Sequence, residues 1–394
     1  MHMLSPKILD HSLNKHFPEL LKFESIADAE ASEVYRLVRA DAERILESVV
    51  GENLSSGTPA SDIVRAAAWN IERGCVFDGI LSALKEHDGL RGRDLLLLTE
   101  LDHGMARSGN RFVAREIAVA LEMNYAFAPV YIALQKGSGV EEFAEGENTL
   151  SIHGLAMFSK HEMANVHAVP LPNGKDKMLG KEKRLGQLRA LVADIHHPSG
   201  KFRAVTTHLD AHCSRAHRHM QIRIILDHLD TLPPLPTVIG GDWNTTTYNS
   251  QNATRAILGY WRRVMMGVKH VVKNHLPHPD RYFERNLFRE LERRGFEYKN
   301  FNELGAGTLH YDVSSIEKNT NLRDWVPAWC FPFIFWAARR VGGRVSGRLD
   351  WFAGKGIVKA PGTEPLTLSG LVDGAGTPLS DHDAITLDFR LSES

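Results

Sequence analysis

Four leucines in succession, Leu95 to Leu98, run directly into Thr99, Glu100, Leu101 and Asp102. An unbroken apolar run of that length reads as a buried strand, and its acidic end falls where a buried sheet gives way to a solvent-facing loop. The same construction recurs in AAWNIERG (Ala67 to Gly74), THLD (Thr207 to Asp210), GGDWN (Gly240 to Asn244), GRLDWF (Gly347 to Phe352) and SDHDA (Ser380 to Ala384). If these strand ends converge on one sheet edge, they make a pocket of carboxylates, imidazoles and amides. Such a pocket suits a divalent cation and a phosphate, so the chain reads as a metal-dependent phosphoester hydrolase.

Around these segments the pattern alternates in a way that indicates two packed sheets with helices outside. Strands are expected at Ile63 to Asn70, Asp94 to Glu100, Tyr125 to Ile132, Gly154 to Ser159, Gln187 to His196, Phe202 to His208 and Thr237 to Gly241. Helices are expected at Ser25 to Val50, Val76 to Glu86, Asn110 to Leu121, Ala216 to Leu229 and Tyr282 to Arg294. The consecutive strands between Tyr125 and His208 imply antiparallel pairing there. Residues 1–60 are expected to be a helical extension and 61–394 the catalytic domain, carrying an insertion at about 254–345.

Composition narrows the setting. Three widely spaced cysteines, Cys75, Cys213 and Cys330, do not make a disulfide framework, and the first residues lack the basic start and apolar stretch of a signal peptide. A cytoplasmic enzyme is therefore expected. A net charge of −1 gives the whole molecule no bias toward nucleic acid, but Thr254 to Arg344 holds 16 Lys and Arg against 9 Asp and Glu. A basic segment is thus set into an acidic body.

Hydrolysis of a phosphoester requires neutralising the phosphoryl charge and placing a water in line. Glu100, a lone carboxylate after four leucines, is the leading candidate cation ligand. Asp242 could orient and deprotonate the water while the Asn244 amide donates to a phosphate oxygen. A histidine that must stay protonated wants a carboxylate on its other ring nitrogen, and Asp350 could supply one to His382, leaving Asp381 to face the metal. His208 offers a second imidazole for the phosphoryl group or the leaving oxygen. Arg107, Asn110 and Arg111 follow the Glu100 strand and could clamp a second phosphate or an acidic head group, or cap the helix that begins near Asn110. The histidines His208, His212, His217 and His219 invite a zinc reading, but a helix starting near Ser214 would turn His217 and His219 in different directions.

Taken in order, WNIERG, TELD, THLD, GGDWN, GRLDWF and SDHDA resemble the motif series of the endonuclease/exonuclease/phosphatase superfamily, from Ile63 to Phe389 apart from the insertion. The resemblance implies a four-layer α/β sandwich and Mg²⁺ or Mn²⁺ as cofactor. It also implies Asn70 and Glu100 at the metal, with Asp381 near it, and His208 at the phosphate. Asp242 and Asn244 fall at the nucleophile, and Asp350 supports His382. Thr99 stands where nuclease members tend to have Gln.

The insertion bears on substrate. Four of the seven tryptophans, Trp261, Trp325, Trp329 and Trp336, lie in it, and the charge-free stretch Trp325 to Ala338 is followed by Arg339, Arg340 and Arg344. That stretch is too short to span a bilayer. It could sit at a membrane interface through residues 325–344, fill a subcore beneath the loops, or grip a nucleic-acid strand. The expected substrate is a lipid head group or small phosphoester, the alternative DNA or RNA, with no obligate protein partner.

Overall fold

The leucine run is divided between two cores. Leu95 and Leu97 pack with Ala66 and Ala68 in one hydrophobic cluster, while Leu96 and Leu98 pack with Ala67, Trp69 and Ile71 in another. Successive side chains of a strand point to opposite faces, so these strands are covered on both sides and show no polar alternation. The computed structural model describes residues 4–57, 61–245, 253–312 and 331–392.

Nine strands form the larger sheet: β1 (Val50–Glu52), β2 (Val64–Arg73), β3 (Leu95–His103), β4 (Asn124–Ala133), β5 (Ile152–Ser159), β7 (Arg184–Gly186), β14 (Ile357–Lys359), β15 (Leu366–Leu368) and β16 (Ala384–Leu391). Their order is β1-β4-β5-β3-β2-β16-β14, with β7 paired to β4 and β15 to β16. The second sheet holds β6 (Glu162–Leu171), β8 (Leu188–His197), β9 (Gly200–Thr207), β10 (Thr237–Asp242) and β13 (Asp350–Lys355), in the order β13-β10-β9-β8-β6. A separate hairpin pairs β11 (Leu309–Asp312) with β12 (Arg344–Gly347). The pairs β2–β3 and β9–β10 are parallel and the remainder antiparallel, so both large sheets are mixed.

One core fills the space between the sheets, where Ala68 and Leu97 meet Val205 and Ile239, and continues to Ile222, Ile225 and Leu226 of a helix, Arg215–Asp230, on the outer face of the second sheet. The other lies outside the larger sheet, beneath the helices Glu33–Glu47, Phe77–Glu86 and Val113–Leu121. Helix, sheet, sheet and helix stack as the expected four-layer α/β sandwich.

Three elements depart from the sequence reading. The helix expected over Ser25 to Val50 is two, Ile26–Ala31 and Glu33–Glu47, because Ser32 adopts extended backbone and its hydroxyl accepts from the Tyr35 N–H to cap the second. Val50 has by then joined β1, and the N-terminal residues Leu9, Leu13 and Phe17 belong to the outer core. The helix expected over Tyr282 to Arg294 is Arg285–Arg293, preceded by a short turn of helix at Pro279–Tyr282. Of the charge-free stretch, residues 325–330 lie outside the described residues, and Phe331 to Ala338 belong to the helix Phe331–Arg339. No helix among the described residues is long and apolar enough to cross a membrane.

Candidate active site

Strand register brings the motif ends together. Parallel pairing sets Asn70 beside Thr99, antiparallel pairing sets Asp242 directly opposite Asp350, and Leu209 N donates to the Asp242 carbonyl just beyond the β9–β10 pair. The SDHDA segment enters β16 next to β2, where the Ser380 hydroxyl donates to the Asn70 carbonyl at 2.7 Å and Asp381 N donates to the Glu72 carboxylate at 3.0 Å.

At this edge the strands leave regular geometry. Register slips between Asn70 and Arg73 and between Leu98 and Leu101, so Glu72 and Glu100 each sit on a bulge. Of eight non-glycine residues with positive φ among those described, four are here: Glu72 at 44°, Arg73 at 66°, Glu100 at 57° and Asn244 at 52°. Such backbone is strained for these residue types and persists where the surroundings over-determine it. Gly241, at φ 133°, passes so close to Thr207 that an added Cβ would lie 2.1 Å from the Thr207 carbonyl oxygen, which accounts for glycine in GGDWN.

Asp242 is the hub. Its Oδ2 lies 3.2 Å from Asn70 Nδ2, 3.3 Å from Asn244 Nδ2, 3.4 Å from His208 Nε2 and 3.8 Å from His382 Nε2, while Oδ1 accepts from Asn244 N at 2.9 Å. Potential donors converging on one buried point are what an anionic phosphoryl oxygen also requires. His382 Nδ1 lies 2.8 Å from Asp350 Oδ2, and Trp69 Nε1 fixes the His382 carbonyl at 2.8 Å. Burial disfavours the charged imidazole, but Asp350 and then Asp242 outweigh it and hold His382 protonated well above the usual histidine range. Asp350 N itself donates to Thr308 Oγ1, so the start of the β11 hairpin steadies this pair.

Carboxylates outnumber cations at the mouth of the pocket. Burial and the neighbouring Asp381 push the Glu72 carboxyl up to about 8, and burial, with Glu100 and Asp242 adding to it, raises Asp381 as well. Neutralisation by a bound divalent cation would remove that penalty, and oxygen donors from Glu72, Glu100, Asp381 and Asn70 are the hard set Mg²⁺ or Mn²⁺ prefers. Asp242, Asp350 and His382 form the one trio among the described residues with ligand atoms within 4.8 Å of one another. Because Asp350 and His382 already satisfy each other, that trio is better suited to handling a proton than to enclosing an ion.

Behind the mouth the balance reverses. Arg73 lies 3.8 Å from Glu100 and 3.2 Å from Glu141, and Arg107, with a side chain only 2% exposed, binds Asp102 at 2.7 Å, Glu141 at 3.1 Å and Glu182 at 3.2 Å. Burial alone would raise Glu100, yet Arg73, His208, His153 and the Asn70 amide hold it well below the carboxylate range. Asp102, paired also with His153 at 2.8 Å, is held low in the same way.

Of the positions singled out in the sequence, Asn70, Glu100, His208, Asp242, Asn244, Asp350, Asp381 and His382 come together. Arg107, Asn110 and Arg111 do not join them. Arg107 is enclosed by its three carboxylates, Asn110 bonds the Glu147 carbonyl and Thr149 N, and Arg111 pairs with Glu116 and lies over the Phe77 ring. None of the three caps the following helix, whose N-cap is Phe112 without a side-chain bond. The four histidines of the zinc reading do not converge either: Ser214 caps the helix, and His217 Nε2 bonds the Pro172 carbonyl. Glu72 and Arg73 went unnoticed although both lie inside WNIERG. Nothing in a linear pattern says that a bulge will turn the first of them toward Asp381.

Residues 67–382, most of the chain, match the Endonuclease/Exonuclease/phosphatase family. The chain belongs to that family. It is accordingly a hydrolase of phosphoester bonds. Among solved structures, the endonuclease/exonuclease/phosphatase from Beutenbergia cavernae DSM 12333 is 16% identical, over 84% of this chain and 72% of that one, with a TM-score of 0.48. The human Nocturnin catalytic domain with bound sulfate anion is 15% identical over 88% and 97%, at 0.44, and a humanized D. rerio TDP2 is 14% identical over 84% and 100%, at 0.42. No curated protein matches the chain.

Proposed function

We propose that this family member is a divalent-metal-dependent phosphodiesterase or phosphatase acting on a lipid head group or small phosphoester. The observation that carries the reading is the convergence of imidazole and amide groups on Asp242 beside a mouth where Glu72 and Asp381 lack sufficient countercharge. Mg²⁺ or Mn²⁺, held by Glu100, Asn70, Asp381 and Glu72, would supply charge neutralisation at the phosphoryl group. Asp242 orients the attacking water and takes its proton, and the Asn244 amide donates to a phosphoryl oxygen. His208 and His382 donate to the phosphoryl and leaving oxygens, with Asp350 holding the His382 ring in place. What favours a lipid or small substrate over nucleic acid is the net charge of −1 and the absence of a long basic track along the sequence.

A hydrolysis screen with Mg²⁺ or Mn²⁺ across sphingomyelin, phosphoinositides, bis-p-nitrophenyl phosphate, plasmid DNA and an abasic oligonucleotide tests this. Turnover of one of the first three, lost in excess chelator, is expected. Turnover of the nucleic acids alone would replace the reading with a nuclease, and turnover undiminished by chelation would remove the metal from it.

A further inference from the structure

Between β6 and β7 the chain reads NGKDKMLGKEKR, and this segment lines a cleft of about 190 Å³ with Lys175, Lys177 and Arg184. Two routes tie the cleft to the catalytic pocket. Lys177 Nζ lies 3.4 Å from Asp210, two residues beyond His208. Across the larger sheet, Gly186, Tyr131, His153 and Asp102 pair in one row from β7 to β3, and Asp102 follows Glu100 by two residues.

The lining of the cleft holds three cations and one carboxylate. That carboxylate, Asp176, is engaged by backbone: one oxygen accepts from Ile26 N and the other from Met178 N, both at 2.8 Å. Asp210 is likewise occupied by Gly174 N at 2.6 Å and His212 N at 2.7 Å, and Glu182 is shared between Arg184 and Arg107. Lys177 and Arg184 both lie over the Tyr131 ring, at 5.6 and 5.5 Å. Burial, joined by Lys177, Arg184, Lys175 and His208, drives the nearby His212 well below the usual histidine range, as expected where cations crowd together.

We infer that this cleft is a second anion subsite, which binds a phosphate group of the substrate other than the one attacked. The inference rests on the phosphoester reading above and narrows it to substrates with at least two phosphate groups. Three cations around one lining carboxylate, two of them set against an aromatic ring, are suited to a phosphate dianion even with Lys177 paired to Asp210 and Arg184 to Glu182. The source can be a soluble bisphosphate or a bisphosphorylated head group at a lipid surface, since both present the same chemistry.

Binding is tested first without turnover. In chelator, inorganic pyrophosphate titrated calorimetrically into the full chain reads anion binding, and the cleft variants show how much of it belongs to the cleft. Lys175→Gln with Arg184→Gln should weaken that binding about tenfold or more, and Lys175→Gln alone, at a partly exposed position, should weaken it measurably with no loss of Tm. Pyrophosphate binding that is absent, or identical in wild type and both variants, overturns the proposal whatever the protein hydrolyses. With Mg²⁺ present, the double variant should raise KM for a soluble inositol bisphosphate, or for the same head group in vesicles, at least tenfold more than KM for bis-p-nitrophenyl phosphate. The arm that responds identifies the source, and equal changes on both substrate types would argue against the subsite. Failure to hydrolyse any phosphoester, with pyrophosphate binding intact and variant-sensitive, would sink the proposed function but leave an anion site.

Discussion

The mouth of the pocket and the layer immediately behind it both hold buried charge, with opposite electrostatic outcomes. At the mouth, burial and Asp381 push Glu72 up against Arg73, and burial, Glu100 and Asp242 push Asp381 up against His382 and then Arg73. Behind it, Arg107 and Arg73 satisfy Asp102, Glu141, Glu182 and Glu100, and Glu182 is drawn down to about 2. The difference teaches that burial alone does not decide the state of a carboxylate. The count and placement of cations does, and a deficit located only at the solvent-facing end marks where an external cation belongs.

The strongest way to break this comparison is to remove a cation from the satisfied layer. Arg107→Met should destabilise the fold by about 3–5 kcal/mol, since three carboxylates are left buried without their partner. Denaturant unfolding measures this, and a change under 1 kcal/mol would mean the layer is not charge-balanced as described. Removing the carboxylate beside the mouth should cost rate rather than stability. Asp242→Asn is expected to cut the rate on the order of 100-fold or more while leaving the melting temperature within a few degrees. Full activity in that variant would take Asp242 out of the chemistry.

Protons sharpen the contrast. Glu72 moves from an ordinary 4.5 to about 8 on folding, so the metal-free folded state holds a proton that the unfolded chain has released. Metal-free stability should therefore fall as pH rises from about 4.5 through about 8. Saturating Mg²⁺ should flatten that fall by taking the proton's place, and melting curves that show the same slope with and without Mg²⁺ would contradict a cation at Glu72. His382 is raised by Asp350, and its protonated form persists to higher pH for that reason. Asp350→Asn should shift the alkaline limb of the pH-rate profile to lower pH, whereas an unmoved limb would leave Asp350 a purely structural role.

The smallest expected effect lies in the insertion. Leu258, Trp261 and Met265 are exposed on the helix Ala253–Met265, Trp261 meets Phe333 at 5.6 Å, and Arg340 lies 4.0 Å over the exposed Trp336. If this arginine-flanked apolar face docks on acidic membrane, Arg339→Glu with Arg340→Glu should lower co-sedimentation with anionic vesicles several-fold, and the binding should weaken as salt rises. Loss of DNA cleavage instead would favour strand gripping, and a change in thermal stability alone would assign the aromatics to a subcore.

Much of the pocket was legible because β2, β3, β9 and β10 each end in polar residues directly after an apolar run, so strand ends could be read without knowing their neighbours. The strand β6 was not legible. It is a half-exposed edge strand with a bulge at Ala164 to His167, which erases the alternation that would announce it. Arg107 was misleading for a related reason. An arginine in a polar run after a strand reads as solvent-facing, and only the folded arrangement of Asp102, Glu141 and Glu182, residues far apart in the chain, encloses it.

The sequence by itself determined which residues close β2, β3, β9 and β10 and that both faces of the Leu95–Leu98 strand are covered, because apolar run length and periodicity are local properties, whereas Asp350 opens β13 and Asp381 and His382 precede β16 instead of closing an apolar run. It also carried the family, through six motifs in a fixed order. Tertiary structure alone decided the two bulges that turn Glu72 and Glu100 into the pocket, the 2.8 Å contact between Asp350 and His382, and which carboxylates find an arginine. Those depend on distances between segments up to about 300 residues apart in the chain, and electrostatic energy depends on such distances rather than on sequence separation.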